Sequence, residues 1–161
     1  MTTYAIEKTD KKVGIGQIVV GEADSLLTTV LGSCVGVVIY DAKRQIASMA
    51  HVMLANSQGR ADSPGRFADT AVPAMLEMLR AVGGVSTKYR AKLAGGASMF
   101  AGRGPMNIGE NNVEAVRRAL AGQEIPIDGE HLGGEKGRRV EFACDTGEYR
   151  ISVAGKDVAS I

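Results

Sequence analysis

The sequence predicts an α+β domain in which mixed or antiparallel sheets carry helices on one side. Two observations lead there. Short apolar and β-branched runs follow one another with only turns between them, at 13–20, 26–30, 31–40 and 46–54, which excludes a regular βαβ succession. Two longer stretches carry apolar residues at helical spacing instead: Ala71, Val72, Met75, Leu76 and Leu79, then Val113, Val116 and Leu120. The order is strands, helix, strand, helix, strands.

Each element has a local reason. Residues 1–12 are polar and are expected to form a tail, leaving 13–161 as a single domain. After a first strand over 13–20, Gly21 to Ser25 make a turn. The next extended segment delivers Thr28 and Thr29, for which β propensity alone is sufficient reason. Asp41 to Gln45 turn the chain into the strand 46–54, and residues 55–66, rich in Ser, Asn, Gly, Asp and Pro, form a surface loop. Asp69 or Thr70 is expected to cap a helix running to about Ala81, with Pro73 tolerated in its first turn and Gly83-Gly84 ending it. Residues 89–94 form a short strand that runs into Gly95-Gly96-Ala97-Ser98-Met99-Phe100 and a glycine-rich loop to Gly109. That loop has neither a Gly-Lys-Ser/Thr ending nor dinucleotide spacing, so a phosphate cradle is rejected. Asn107 or Gly109 starts the second helix, and a hairpin of 139–144 and 149–153 closes the chain.

Composition narrows the function classes. Nineteen basic against eighteen acidic residues give a net charge of +1, which offers nothing for nucleic acid or a membrane surface to recognise. No apolar run reaches the ~18–20 residues of a spanning helix, and the N-terminus lacks a signal-peptide pattern, so a cytoplasmic location is expected. Two cysteines, Cys34 and Cys144, cannot build a disulfide framework. With His51 and His131 they also lack the close ligand pairs of a structural zinc site, so neither metal nor cofactor is expected. His131, in a Gly/Glu/Lys stretch, reads as solvated.

The chemistry concentrates around Leu31-Gly32-Ser33-Cys34-Val35. Gly32 and Ser33 allow a tight turn and leave amide N–H groups uncommitted, the material of an oxyanion hole. Seventeen residues after Cys34 comes His51, in a second apolar run that can pair beside the first. Taken alone, a free cysteine or a lone histidine reads as a core residue. Facing each other across neighbouring strands, the two are a nucleophile and its base.

Five blocks carry a resemblance: Leu31 to Val35, Met49-Ala50-His51-Val52-Met53-Leu54, Ala68-Asp69-Thr70-Ala71-Val72, Gly95 to Phe100, and Asn107-Ile108-Gly109. In order and spacing they resemble the chemoreceptor glutamine deamidases, the CheD family of bacterial chemotaxis, over residues 13–155. The resemblance implies a layered α/β/β sandwich with two main helices, as in toxin-type cysteine deamidases. It implies hydrolysis of receptor glutamine side chains to glutamate, with receptor methyl esters as a side reaction. The family's catalytic cysteine and histidine fall on Cys34 and His51. Its third residue, a threonine six positions before the cysteine, falls on Thr28, with Thr29 adjacent. Methyl-accepting receptors are the implied substrate and a CheC-type phosphatase of CheY-phosphate the implied partner, the loop from Gly95 to Gly109 being the expected docking surface. The rival reading is a non-catalytic protein that keeps this fold to dock the phosphatase. The departures, Ala55 after the histidine strand and Gly104-Pro105 in the glycine-rich loop, leave the catalytic set intact.

Overall fold

The computed structural model describes residues 7–60, 62–99 and 107–161. In chain order the elements are β1 (Thr9–Lys12), β2 (Ile18–Gly21), β3 (Ser25–Leu31), β4 (Val35–Asp41), β5 (Ile46–Val52), α1 (Ala68–Ala81), β6 (Arg90–Gly95), α2 (Ile108–Gly122), β7 (Ile127–Leu132), β8 (Arg138–Ala143), β9 (Tyr149–Val153) and β10 (Lys156–Ser160). They form two five-stranded sheets, one ordered β1-β3-β8-β9-β10 and the other β2-β5-β4-β6-β7. Pairing is antiparallel except for β1 with β3 and β6 with β7, so both sheets are mixed.

The layers follow from the alternation of β4. Val35, Val37 and Ile39 face the helices, packing with Met75 and Leu79 of α1 and Val116 and Leu120 of α2. Val38 and Tyr40 face the other sheet and meet Leu27, Leu31, Phe142 and Tyr149. All seven residues of β4 are buried, as are all seven of β5, because the second sheet is covered on both faces. Such a strand reads as a continuous β-branched run, which is how it was visible in the sequence. The result is the α/β/β sandwich.

Several expectations need correction, most of them where backbone pairing outweighs side-chain pattern. Residues 9–12 are an edge strand, not part of a tail, held by parallel pairing from Thr9 opposite Ser25 to Lys12 opposite Thr28. The first expected strand is shorter: Gln17 N–H bonds Gly14 C=O at 2.9 Å and its side chain accepts from Gly14 N–H, making a turn before β2. β7 and β10, largely polar, are strands that residue type does not announce. Asp69 is not a helix cap. Residue Phe67 occupies that position, and the Asp69 carboxylate accepts from Ser57 N–H at 2.9 Å and Ser57 O–H at 2.8 Å, tying down the loop after β5. Asn107 does cap α2, its side chain accepting from Glu110 N–H.

Candidate active site

Pairing of β4 with β5 sets the strand that follows the cysteine turn beside the strand that carries the histidine. Gly36 lies opposite His51 on the inter-sheet face, and Cys34, in the turn just before β4, packs against that same inter-sheet core. Gly36 leaves that face open where a side chain has no room: a Cβ there would stand 2.6 Å from the Tyr149 hydroxyl and 2.9 Å from Leu31 Cδ1. The Tyr149 O–H donates to Gly36 C=O at 3.0 Å, fixing this part of β4 against the first sheet. Cys34 is half-buried at the border of the inter-sheet core, whereas His51 is 4% exposed.

The turn bearing Cys34 is held through its carbonyls. Gly32 C=O accepts from Ala97 N–H at 3.0 Å, Cys34 C=O from Gly96 N–H at 2.9 Å, and Ser33 C=O from the Asn112 side chain at 3.1 Å. Among the described residues, none of the N–H groups of Gly32, Ser33 and Cys34 donates to a protein acceptor. A loop anchored by its acceptors with its donors free suits an anion arriving beside the cysteine. Gly95 makes the close approach possible, with φ +108° and no space for a Cβ, which would fall 2.2 Å from Cys34 C=O.

The third residue is where the structure departs from expectation. Thr29 Oγ1 lies 2.8 Å from His51 Nδ1 and 2.7 Å from Val13 C=O. A carbonyl only accepts, so the single Thr29 hydroxyl proton goes to Val13, and the ring must donate Nδ1–H to Thr29. This network assigns the tautomer and leaves Nε2 as the bare nitrogen, free to take a proton. Thr28 is on the opposite face of β3, since Leu27, Thr29 and Leu31 alternate toward the inter-sheet layer. Its backbone contributes instead, Thr28 C=O accepting from Val13 N–H at 2.8 Å. The ring's partner is therefore the adjacent residue, Thr29.

Burial raises the Cys34 thiol above its ordinary range, and it lowers the His51 imidazole, partly opposed by the Val13 carbonyl. Both effects favour the uncharged forms of the two groups. This gives a checkable consequence. Iodoacetamide should label Cys34 well before Cys144, which is 4% exposed with its thiol pushed up to about 12. The Cys34 rate should keep climbing above pH 9, and a plateau below pH 8 would show a preformed ion pair instead.

The remaining expected residues sort as follows. Gly95, Gly96, Ala97 and Ser98 flank the cysteine turn, and Met99, 48% exposed, lies over Gly32 with Cγ 3.5 Å from where a Cβ would stand. Phe100 lies outside the described residues. His131 is not in a solvated loop. It sits in β7 with Nδ1 2.8 Å from Arg138 Nη1, beside a buried guanidinium that also bonds the carbonyls of His131 and Gly133. Asn112 went unnoticed in the sequence, although an asparagine beside Val113 and Val116 on the buried face of a helix is a signal that can be read. Grooves of about 700 and 450 Å³ lie along the helical layer, lined by residues such as Leu76, Arg80 and Tyr89 or Ile18 and Met78, away from the cysteine. No helix among the described residues is long and apolar enough to cross a membrane.

Comparison with known proteins shows the family of the chain. Residues 53–153 match the family model described as CheD chemotactic sensory transduction. The probable chemoreceptor glutamine deamidase CheD of Geobacillus kaustophilus is 43% identical over 158 residues, covering 93% of this chain and 96% of that protein. The chemoreceptor glutamine deamidase CheD of Thermotoga maritima is 42% identical over 146 residues, covering 90% and 92%. In fold alone, the chain is similar to a crystal structure of the Bacillus licheniformis hypothetical protein YfiH, with TM-score 0.50 and 16% identity over 80% of this chain and 61% of that one. A family-model match over more than half of the chain, with relatives 42% and 43% identical along 90% or more of it, establishes that the chain belongs to the CheD family.

Proposed function

We propose that this chain hydrolyses the side-chain amide of specific glutamines on methyl-accepting chemotaxis receptors, giving glutamate and ammonia. The observation that carries the reading is the hydrogen bond between Thr29 and His51 Nδ1, which leaves Nε2 bare, on a strand paired with the one that Cys34 immediately precedes. His51 Nε2 takes the thiol proton as Sγ attacks the carboxamide carbon. The oxyanion that forms is stabilised by the free N–H groups at Ser33 and Cys34, with Gly32 providing the turn. The imidazolium then gives its proton to the departing ammonia. A water replaces it, is deprotonated by His51, and attacks the thioester to release glutamate and restore the thiol. Thr29 orients the ring and steadies the imidazolium as it forms. Methyl esters on the same receptors, which present the same carbonyl with a better leaving group, would follow the same route.

The loop from Gly95 to Phe100 is proposed as the border where substrate, or a CheC-type phosphatase, docks. Half-exposed Met99 against Gly32 supports it, since a partner seated there would cover the cysteine's entrance. A free catalytic thiol works in a reducing compartment, which is consistent with a cytoplasmic location. The test is to incubate purified chain with receptor and follow single glutamines by mass spectrometry. A gain of about 1 Da, the amide-to-acid difference, at particular glutamines is expected. Receptor that stays amidated while the chain still binds it would overturn the enzymatic reading in favour of a docking protein.

A further inference from the structure

We infer that Asn112 is a positioning residue that sets the separation of Cys34 and His51. This rests on the proposed cysteine mechanism. Asn112 is 1% exposed, and its side-chain nitrogen donates to two carbonyls distant in sequence, Ser33 at 3.1 Å and Met53 at 2.9 Å. Ser33 immediately precedes the nucleophile. Met53 follows the histidine by two residues, just past the end of β5. One amide group, with both of its protons used, therefore spans the two segments that must face each other.

The location gives the bridge its effect. β4 and β5 are paired only from Val35 opposite Val52 onward, so the turn with Ser33 and Cys34 and the chain at Met53 lie beyond the ladder. The ladder alone does not fix them. Met53 N–H is held by Arg66 C=O at 2.9 Å, and the cysteine turn by Gly96 and Ala97, each anchoring to a different part of the fold. Asn112 joins the two directly. Its own position is firm, because Val113 and Val116 in the same turns of α2 pack in the core against the second sheet. Without it, two partly buried carbonyls lose their donor and the cysteine turn can shift relative to β5. A displacement of about 1 Å between reacting groups costs on the order of 100-fold in rate.

The test compares Asn112→Ala with Val116→Ala, a core truncation in the same helix that touches neither carbonyl. Both should lower the melting temperature. Only Asn112→Ala should lower kcat, by about tenfold or more with KM little changed. A second readout needs no receptor: the ratio of Cys34 alkylation at pH 7, where His51 must assist, to that at pH 10, where the thiolate forms unaided. Asn112→Ala should lower this ratio toward that of His51→Ala, while Val116→Ala leaves it at the wild-type value. Should Asn112→Ala not fold at 25 °C, Asn112→Ser, which keeps a donor too short to span both carbonyls, carries the same comparison. An Asn112 variant with wild-type kcat and an unchanged alkylation ratio, however large its stability loss, would reduce Asn112 to a structural residue and overturn the inference. Chain that never deamidates receptor but shows the ratio effect would instead refute the substrate and leave Asn112 its role.

Discussion

A chain carrying Cys34→Ala is expected to leave receptor glutamines amidated, with turnover reduced about 10⁴-fold or more. Alanine removes the atom that forms the bond to the carboxamide carbon. The N–H groups of the turn, free among the described residues, then have no tetrahedral adduct to stabilise under the proposed mechanism. The fold should survive, because Cys34 is only half-buried and borders the inter-sheet core without filling it. Losing the sulfur should cost about 1 kcal/mol or less, and the melting temperature should barely move. Cys144→Ala is the opposite case. Its sulfur is buried within the inter-sheet cluster, so that variant should melt earlier yet deamidate at the wild-type rate. Turnover by Cys34→Ala above about one part in a hundred of wild type would remove the covalent mechanism.

What the sequence discloses about this site, and what it hides, divides along physical lines. The strands that Cys34 precedes and His51 lies in were legible because burial on both faces makes each a continuous apolar run. Pairing two such runs aligns their periods and hence their faces. The α2 cap at Asn107 was legible because capping is a contact within a few residues. Thr29 was not. Two adjacent threonines share the same propensity, and which one faces the histidine depends on how β3 pairs with β8, a register fixed by residues more than a hundred positions away. β1, β7 and β10 were hidden for a related reason: edge strands are held by backbone hydrogen bonds, and their polar side chains face water. Asp69 failed as a cap because a stronger pair of donors, both from Ser57, was available across the loop.

The same register decides the second large effect. Thr29→Val, which keeps β-branching but deletes the hydroxyl, should lower kcat about 10–100-fold, as loss of a partner that orients a histidine typically does. Without Oγ1 the ring loses the acceptor for Nδ1–H, and the other tautomer, with its bare nitrogen turned away from Cys34, becomes populated. Val13 C=O loses its buried donor as well, which should cost about 1–3 kcal/mol of stability. Thr29→Ser restores the hydroxyl and should recover most of kcat, a rescue that a purely structural role would not require. Thr28→Val alters a side chain on the other face of β3 and should leave kcat within about twofold. His51→Ala should match Cys34→Ala, since a nucleophile and its base act as one unit and their losses are not additive. Measured kcat values for the five variants order the site: Cys34→Ala and His51→Ala lowest, Thr29→Val between, Thr29→Ser and Thr28→Val near wild type. If Thr28→Val proved the more damaging of the two threonine-to-valine changes, the Thr29–His51 hydrogen bond would lose its catalytic meaning, and the orienting role would pass to the residue that the resemblance first indicated.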